Sequence, residues 1–180
     1  MIIGLTGPNA SGKGEAASYL RTKGFKYHSL SDALREEAEK SGIEPLRENL
    51  IRLGNELRRK NSPSYLASII GERLTEPGNY IVDSIRNPAE AEALQEKKGF
   101  VLLGIDAPVE VRFKRSLKRR RPGDAETLQD FIEKEKRENL NNPENQQLKK
   151  CIEMADVVIV NDSAMDEFYR KIDEAITEKT

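Results

Sequence analysis

Gly7-Pro8-Asn9-Ala10-Ser11-Gly12-Lys13-Gly14 is the stretch on which the reading of this chain turns. It follows a short apolar run, Ile2-Ile3-Gly4-Leu5-Thr6, and precedes Glu15-Ala16-Ala17-Ser18-Tyr19-Leu20, which has helical spacing. Strand, glycine-rich loop and helix in that order are the context a phosphate-binding loop requires. The pattern G-x-x-x-x-G-K-[ST] is met at every position but the last. Gly7 and Gly12 allow backbone angles that let successive N–H groups turn inward as an anion nest. The helix that follows points its positive end at the same spot, and Lys13 brings a compact charge to the outer phosphates. Gly14 carries no hydroxyl, so the usual direct Mg²⁺ ligand of such loops is missing.

Outward from the loop, short apolar strands alternate with helical patterns. Strands are expected at residues 2–6, 25–30, 80–83, 100–105 and 157–160, and helices at 12–22, 33–40, from Pro45, around Tyr65, at 88–98, 108–119, 125–140, up to Met154, and 164–178. Lys23-Gly24, Ser41-Gly42, Glu76-Pro77-Gly78-Asn79, Arg120-Arg121-Pro122-Gly123-Asp124 and Asn141-Asn142-Pro143 break them. Alternating strands and helices imply βαβ units with right-handed crossovers and a parallel sheet covered on both faces. The expected fold class is α/β: a three-layer α/β/α P-loop NTPase with a five-stranded parallel sheet and a short helical lid. One domain spans 1–180, with the lid inserted at about 112–137. Phe25, Tyr27 and Phe100 read as core aromatics, and Cys151 as a residue of a helix core.

Composition narrows the class. The 180 residues are 37% hydrophobic and 34% charged, with a net charge of −1. No apolar run approaches the ~20 residues of a membrane span, and Gly7 cuts the first run too short for a signal peptide. A single cysteine excludes an internal disulfide and a cysteine-based metal cluster. These features set the expectation of a cytoplasmic protein with a small-molecule substrate and neither nucleic-acid nor membrane partners; oligomeric state stays open.

In a parallel sheet, ligands bind beyond the carboxyl ends of the strands. Those ends carry Gly7, Asp32, Asp83-Ser84-Ile85-Arg86 and Asp106. Asp83 has the position of a metal-side carboxylate, holding Mg²⁺ through water; the competing reading is a helix-capping Asp. Asp32 and Arg35 are either an acceptor-phosphate site or a cap beside a solvent-facing arginine. Arg86, just past a strand end, is either a functional arginine of the phosphate-binding cleft, the favoured reading, or an ordinary surface one. Arg112, Arg115, Arg119, Arg120 and Arg121, with Lys114 and Lys118, are a lid over a triphosphate, a nucleic-acid patch or a solvated face. No aromatic residue interrupts 114–121, which weakens the nucleic-acid reading.

Taken together, these motifs resemble the nucleoside monophosphate kinase-like P-loop kinases, the group that includes adenylate kinase. Gly7 to Gly14 resembles the adenylate kinase loop, which also has Gly after the lysine. Residues 31–37 resemble that family's Thr-Gly-Asp-x-x-Arg segment, and residues 80–94 its Asp-Gly-Phe-Pro-Arg stretch. The resemblance implies ATP and Mg²⁺ as cofactors and a nucleoside monophosphate as acceptor. It implies nucleotide binding by Gly7, Pro8, Asn9, Ala10, Ser11, Gly12, Lys13, Gly14 and Glu15, metal binding by Asp83, and acceptor binding by Asp32, Arg35 and Arg86. Lys13, Arg86, Arg115 and Arg119 would be catalytic, and Arg137 is a weaker lid candidate. Glu15 stands where adenylate kinases have Thr, and the Asp83 stretch is one residue shorter. More narrowly the chain resembles adenylate kinase-related proteins of archaea and some bacteria. Residues 3–7 and 155–162 also resemble dephospho-CoA kinase, whose acceptor hydroxyl needs a base such as Asp32. A nucleotide-binding regulator without turnover is the remaining alternative.

Overall fold

A computed structural model describes residues 1–75, 77–120, 123–139 and 145–179. Glu76, Arg121-Pro122 of the expected lid tip and the Asn141-Asn142-Pro143 break fall outside the described residues. The first strand, β1 (Ile2–Thr6), is buried at all five positions. It lies in the centre of the sheet between β3 (Tyr80–Ile85) and β4 (Phe100–Asp106). The flanks are β2 (Lys26–Ser29) on β3 and β5 (Val157–Val160) on β4, giving the order β2-β3-β1-β4-β5, all parallel. A strand with neighbours on both edges and helices on both faces meets no water, hence the unbroken apolar runs of β1 and β4. At the sheet's edge β5 breaks that rule, and Val158 and Val160 are 46% and 43% exposed.

On one face, α1 (Lys13–Thr22) and α9 (Met165–Thr177) set Ala16, Ala17, Leu20, Phe168 and Ile172 against Leu5, Leu103 and Ile159. On the other, α2 (Leu30–Lys40), α4 (Tyr65–Arg73) and α5 (Pro88–Gln95) set Ala33, Leu66, Ile70 and Leu94 against Val82, Ile85 and Leu102. This is the expected three-layer P-loop architecture. Each fully buried Leu or Phe contributes roughly 1.5–3 kcal/mol. That burial clamps α1, and with it the loop at its start, to the sheet. The remaining helices are α3 (Arg47–Lys60), α6 (Val109–Arg119), α7 (Leu128–Glu138) and α8 (Leu148–Glu153). Cys151 is a core residue of α8, its thiol pushed up to about 12 by burial first and by the nearby Glu90 charge second.

Three local features differ from the sequence expectation. The second helix starts at Leu30, because Ser29 caps it by accepting a hydrogen bond from the Ser31 amide (3.1 Å). Tyr27 is no core aromatic: β2 is an edge strand, and the ring is 36% exposed with its hydroxyl turned to Asp83. The third strand continues past Asp83 to Ile85 with one extra residue. Gly4 pairs with Val82, but Thr6 pairs with Ile85. Ser84 takes up the slack at φ 68°, uncommon for a non-glycine, and the Thr6 hydroxyl donates to Ile85 O (2.8 Å) to pin the bulge.

Candidate functional site

The loop runs from β1 into α1 through three positive-φ residues: Gly7 (142°), Ala10 (59°) and Gly12 (112°). A Cβ on Gly7 would sit 2.0 Å from Ile105 O, and one on Gly12 2.1 Å from Asn161 Nδ2, so both close approaches require glycine. Gly14, in contrast, faces open space. No side chain caps α1, so its first amides stay available at the positive end of the helix. Glu15, also in the first turn, is exposed. The Lys13 ammonium bends back over the loop and donates to Gly7 O (2.7 Å) and Pro8 O (2.8 Å).

Asp83, Arg86, Arg112 and Arg119 act electrostatically on Lys13, and together with burial they bring its pKa down to about 8. Desolvation is the largest cause; Asp83 opposes it, and the three arginines reinforce it. The bulge at Ser84 aims Asp83 at this point. Its Oδ1 accepts from the Ser84 amide (2.6 Å) and its Oδ2 from the Tyr27 hydroxyl (3.0 Å). Burial and then the Asp83 charge hold the Tyr27 phenol protonated, well above its ordinary value. Asp83 caps no helix: Asn87 caps α5, with Glu90 completing the capping box.

The basic helix α6 divides by face. Lys114, Lys118 and Arg120 are exposed, while Arg112, Arg115 and Arg119 turn inward at helical spacing. Arg115 supports the loop from behind, donating to Ser11 O (3.2 Å), Asn161 O (3.1 Å) and Asn161 Oδ1 (3.3 Å). The Asn161 amide group in turn donates to Ser11 O (2.9 Å). Arg112 donates to Ala107 O (2.9 Å), to Asn9 O (3.3 Å) and to Glu135 on α7. Arg119 spans Asn9 Oδ1 (3.2 Å) and the Asp124 carboxylate (3.0 and 3.1 Å). Phe113 and Phe131, with ring centroids 5.8 Å apart, pack α6 against α7. Arg137 pairs with Glu133 on the outside of α7.

Arg86 leads into a second feature. A small cleft is lined by the apolar Leu30, Leu34, Leu50, Ile51 and Leu66 and by the polar Arg58, Ser84, Arg86 and Gln146. Arg58 is buried and donates through Nε and Nη2 to Glu90 Oε1 (3.0 and 2.7 Å). The other Glu90 oxygen accepts from the amides of Arg86 (2.9 Å) and Asn87 (3.0 Å). A buried guanidinium and carboxylate therefore fix the turn that presents Arg86. Asp32 and Arg35 do not line the cleft. They pair with each other on α2 (2.6 Å), with side chains 54% and 50% exposed. His28 lies on β2 against Tyr80 and is likewise absent from the cleft.

Sequence reading gave Asn161, Tyr27, Arg58 and Glu90 no part in this site. Only Glu90 left a usable trace, as the fourth residue of the Asn87-Pro88-Ala89-Glu90 capping box. Among the described residues, no group of three or more His, Cys, Asp or Glu side chains could hold a metal alone. A Mg²⁺ ion takes one or two carboxylates and completes its shell with phosphate oxygens and water. Asp83, singly placed beside the loop, fits that demand. Among the described residues no helix is long and apolar enough to cross a membrane.

Comparison with known proteins bears on the family and the fold. A family model described as an AAA domain matches residues 3–141. A UPF0200/UPF0201 protein of Archaeoglobus fulgidus is 36% identical over 177 residues; the match covers 95% of this chain but only 53% of the relative, so the chain spans about half of that protein's length. The UPF0200 protein of Pyrococcus horikoshii is 32% identical over 184 residues, covering 98% of this chain and 96% of the relative. Among solved structures, a shikimate kinase from Aquifex aeolicus superposes with a TM-score of 0.58 at 16% identity, covering 99% of this chain and 97% of that one. At that identity the likeness is one of fold.

Proposed function

The chain belongs to the UPF0200 family, and from that premise we propose that it is an ATP-dependent phosphotransferase acting on a small acceptor, a nucleoside monophosphate first of all. The observation that carries the reading is the convergence on Lys13. A carboxylate and three guanidinium groups act on Lys13 at an uncapped helix start, and one of them, Arg86, also lines the small cleft beside it. The loop amides and Lys13 bind the phosphates of the nucleotide. Asp83 would hold Mg²⁺, which when bound would supply positive charge to the phosphate oxygens. Arg86 orients the acceptor in the cleft. Arg112 and Arg119 supply positive charge from α6, in a lid that spans about 112–137 of a single domain. Catalysis is then positioning and charge stabilisation with little covalent chemistry from the protein. Arg115 and Asn161 hold the loop in shape, a supporting part for an arginine expected to touch phosphate.

A hydroxyl-bearing acceptor would need a general base, and Asp32 is engaged with Arg35 away from the cleft; the monophosphate reading needs none. The direct test is ADP release from Mg·ATP with a panel of nucleoside monophosphates and dephospho-CoA. Tight ATP binding with no acceptor-dependent ADP release would replace the kinase reading by that of a nucleotide-binding regulator. In the same assay, Arg119→Ala should slow turnover by about tenfold or more. An unchanged rate leaves Arg119 a structural tie between Asn9 and Asp124.

The lowered Lys13 value gives a pH dependence with a definite sign. Phosphate oxygens require the ammonium form. Below about pH 8 the free protein already carries it; above, binding must take up a proton. Affinity for Mg·ATP is expected to hold steady up to that point and then weaken by up to about tenfold per pH unit. Titration calorimetry in two buffers of different ionisation enthalpy, near pH 8.5, should report proton uptake that Lys13→Met removes. Uptake unaffected by that substitution would assign the proton elsewhere.

A further inference from the structure

Gln146 stands at the cleft with one polar atom unaccounted for. The residue is only 5% exposed, and its Oε1 has no hydrogen-bond partner among the described residues. It lines the cleft together with Arg58, Ser84 and Arg86. Its position is fixed from both sides: the Asn87 amide group donates to Asn145 O (2.9 Å), and the Gln147 amide donates to Arg86 O (2.7 Å). The backbone at 145–147 is thus tied to the turn that presents Arg86. A buried carbonyl without a donor is costly, and a ligand that supplies the donor recovers that cost.

The cleft has two chemical ends. Leucine and isoleucine side chains from α2, α3 and α4 make its apolar part. Arg58, Ser84, Arg86 and Gln146 gather at the β3–α5 turn. A ligand whose anionic group lies at Arg86 would bring its adjoining portion past Gln146. In a nucleoside monophosphate that adjoining portion is the sugar, and its donors are hydroxyls. We propose that the Gln146 side-chain carbonyl accepts a hydrogen bond from a ribose hydroxyl of the acceptor, so that the cleft selects ribonucleoside over deoxyribonucleoside monophosphates. This rests on the phosphotransferase reading above and adds to it the residue that sets sugar specificity.

The test compares each ribonucleoside monophosphate with its 2′-deoxy and 3′-deoxy counterparts, using the full chain and Mg·ATP. The wild-type protein should favour the ribose form over one deoxy form by more than about a hundredfold in kcat/KM, since a site built around a hydroxyl rejects the analogue lacking it. Gln146→Met keeps the length of the side chain and removes its carbonyl. The ribose and deoxy substrates should then differ by less than about threefold, through loss with the ribose form alone. KM for ATP should not move. Because the substitution removes an unpaired buried carbonyl, the melting temperature should stay level or rise. Equal use of ribose and deoxy forms by the wild-type protein overturns the proposal. So does a preference that survives Gln146→Met, or an equal loss on both substrates with a lowered melting temperature. ADP release with none of the monophosphates overturns the parent reading and this one together, whereas release without sugar discrimination overturns this one alone.

Discussion

Lys13→Met should lower acceptor-dependent ADP release by about 10³-fold or more in kcat/KM while leaving the fold intact. The charge is the main loss, because methionine retains most of the aliphatic stem. The two hydrogen bonds to Gly7 O and Pro8 O disappear as well, but the ammonium that makes them is part-buried and disfavoured by the charges of three arginines. The pH linkage separates a catalytic loss from an unfolding one. The Lys13 value falls from 10.5 to about 8 in the folded chain, so the folded state binds fewer protons than the unfolded state between those values. The resulting penalty is fully present below about pH 8 and relieved as pH rises towards the unfolded value. Removing the ammonium lifts the penalty at neutral pH, so the variant should melt no lower than the wild-type protein there. A variant that melts much lower would instead assign Lys13 a structural task. Activity surviving the substitution would point to a contaminating kinase.

How far the sequence disclosed this site follows from how local each feature is. The loop was legible because its glycines, its lysine and the flanking strand and helix are contiguous. The inward arginines of α6 were visible by spacing, but their separate duties were not. Arg115 finds Ser11 O across 104 residues of sequence and Arg119 finds Asn9 across 110, and nothing in a one-dimensional pattern assigns one to the back of the loop and the other to its front. Asn161, 150 residues from the carbonyl it supports, is hidden for the same reason. Arg35 shows the opposite case. Its segment resembles a phosphate-binding one, yet a carboxylate one helical turn away offers a partner on the same exposed face. The bulge at Ser84 left no sign in the sequence, because serine rarely takes positive φ and only the register against β1 requires it.

That bulge matters most for Asp83. Asp83→Asn is expected to cut kcat by about 10²-fold or more with Mg·ATP and acceptor saturating. The substitution keeps the side chain's shape. Its remaining carbonyl can accept from the Ser84 amide, as Oδ1 does now at 2.6 Å, and the Tyr27 hydroxyl can turn to accept where it now donates. What disappears is one negative charge beside Lys13. Two consequences follow that a packing role for Asp83 does not produce. The Mg²⁺ concentration needed for half-maximal rate should rise, because the protein's carboxylate no longer contributes to holding the ion. The weakening of nucleotide binding at high pH should also begin at lower pH, because Asp83 is the group that raises the Lys13 value against burial and the three arginines. An unchanged rate and an unchanged pH profile would remove Asp83 from the reaction. A slower rate with Mg²⁺ dependence and pH profile both intact would mean that the direction of its hydrogen bond with Tyr27 matters and its charge does not. Tyr27→Phe, which breaks that bond and keeps the carboxylate, distinguishes the two: if charge is what counts, it should leave most of the activity in place.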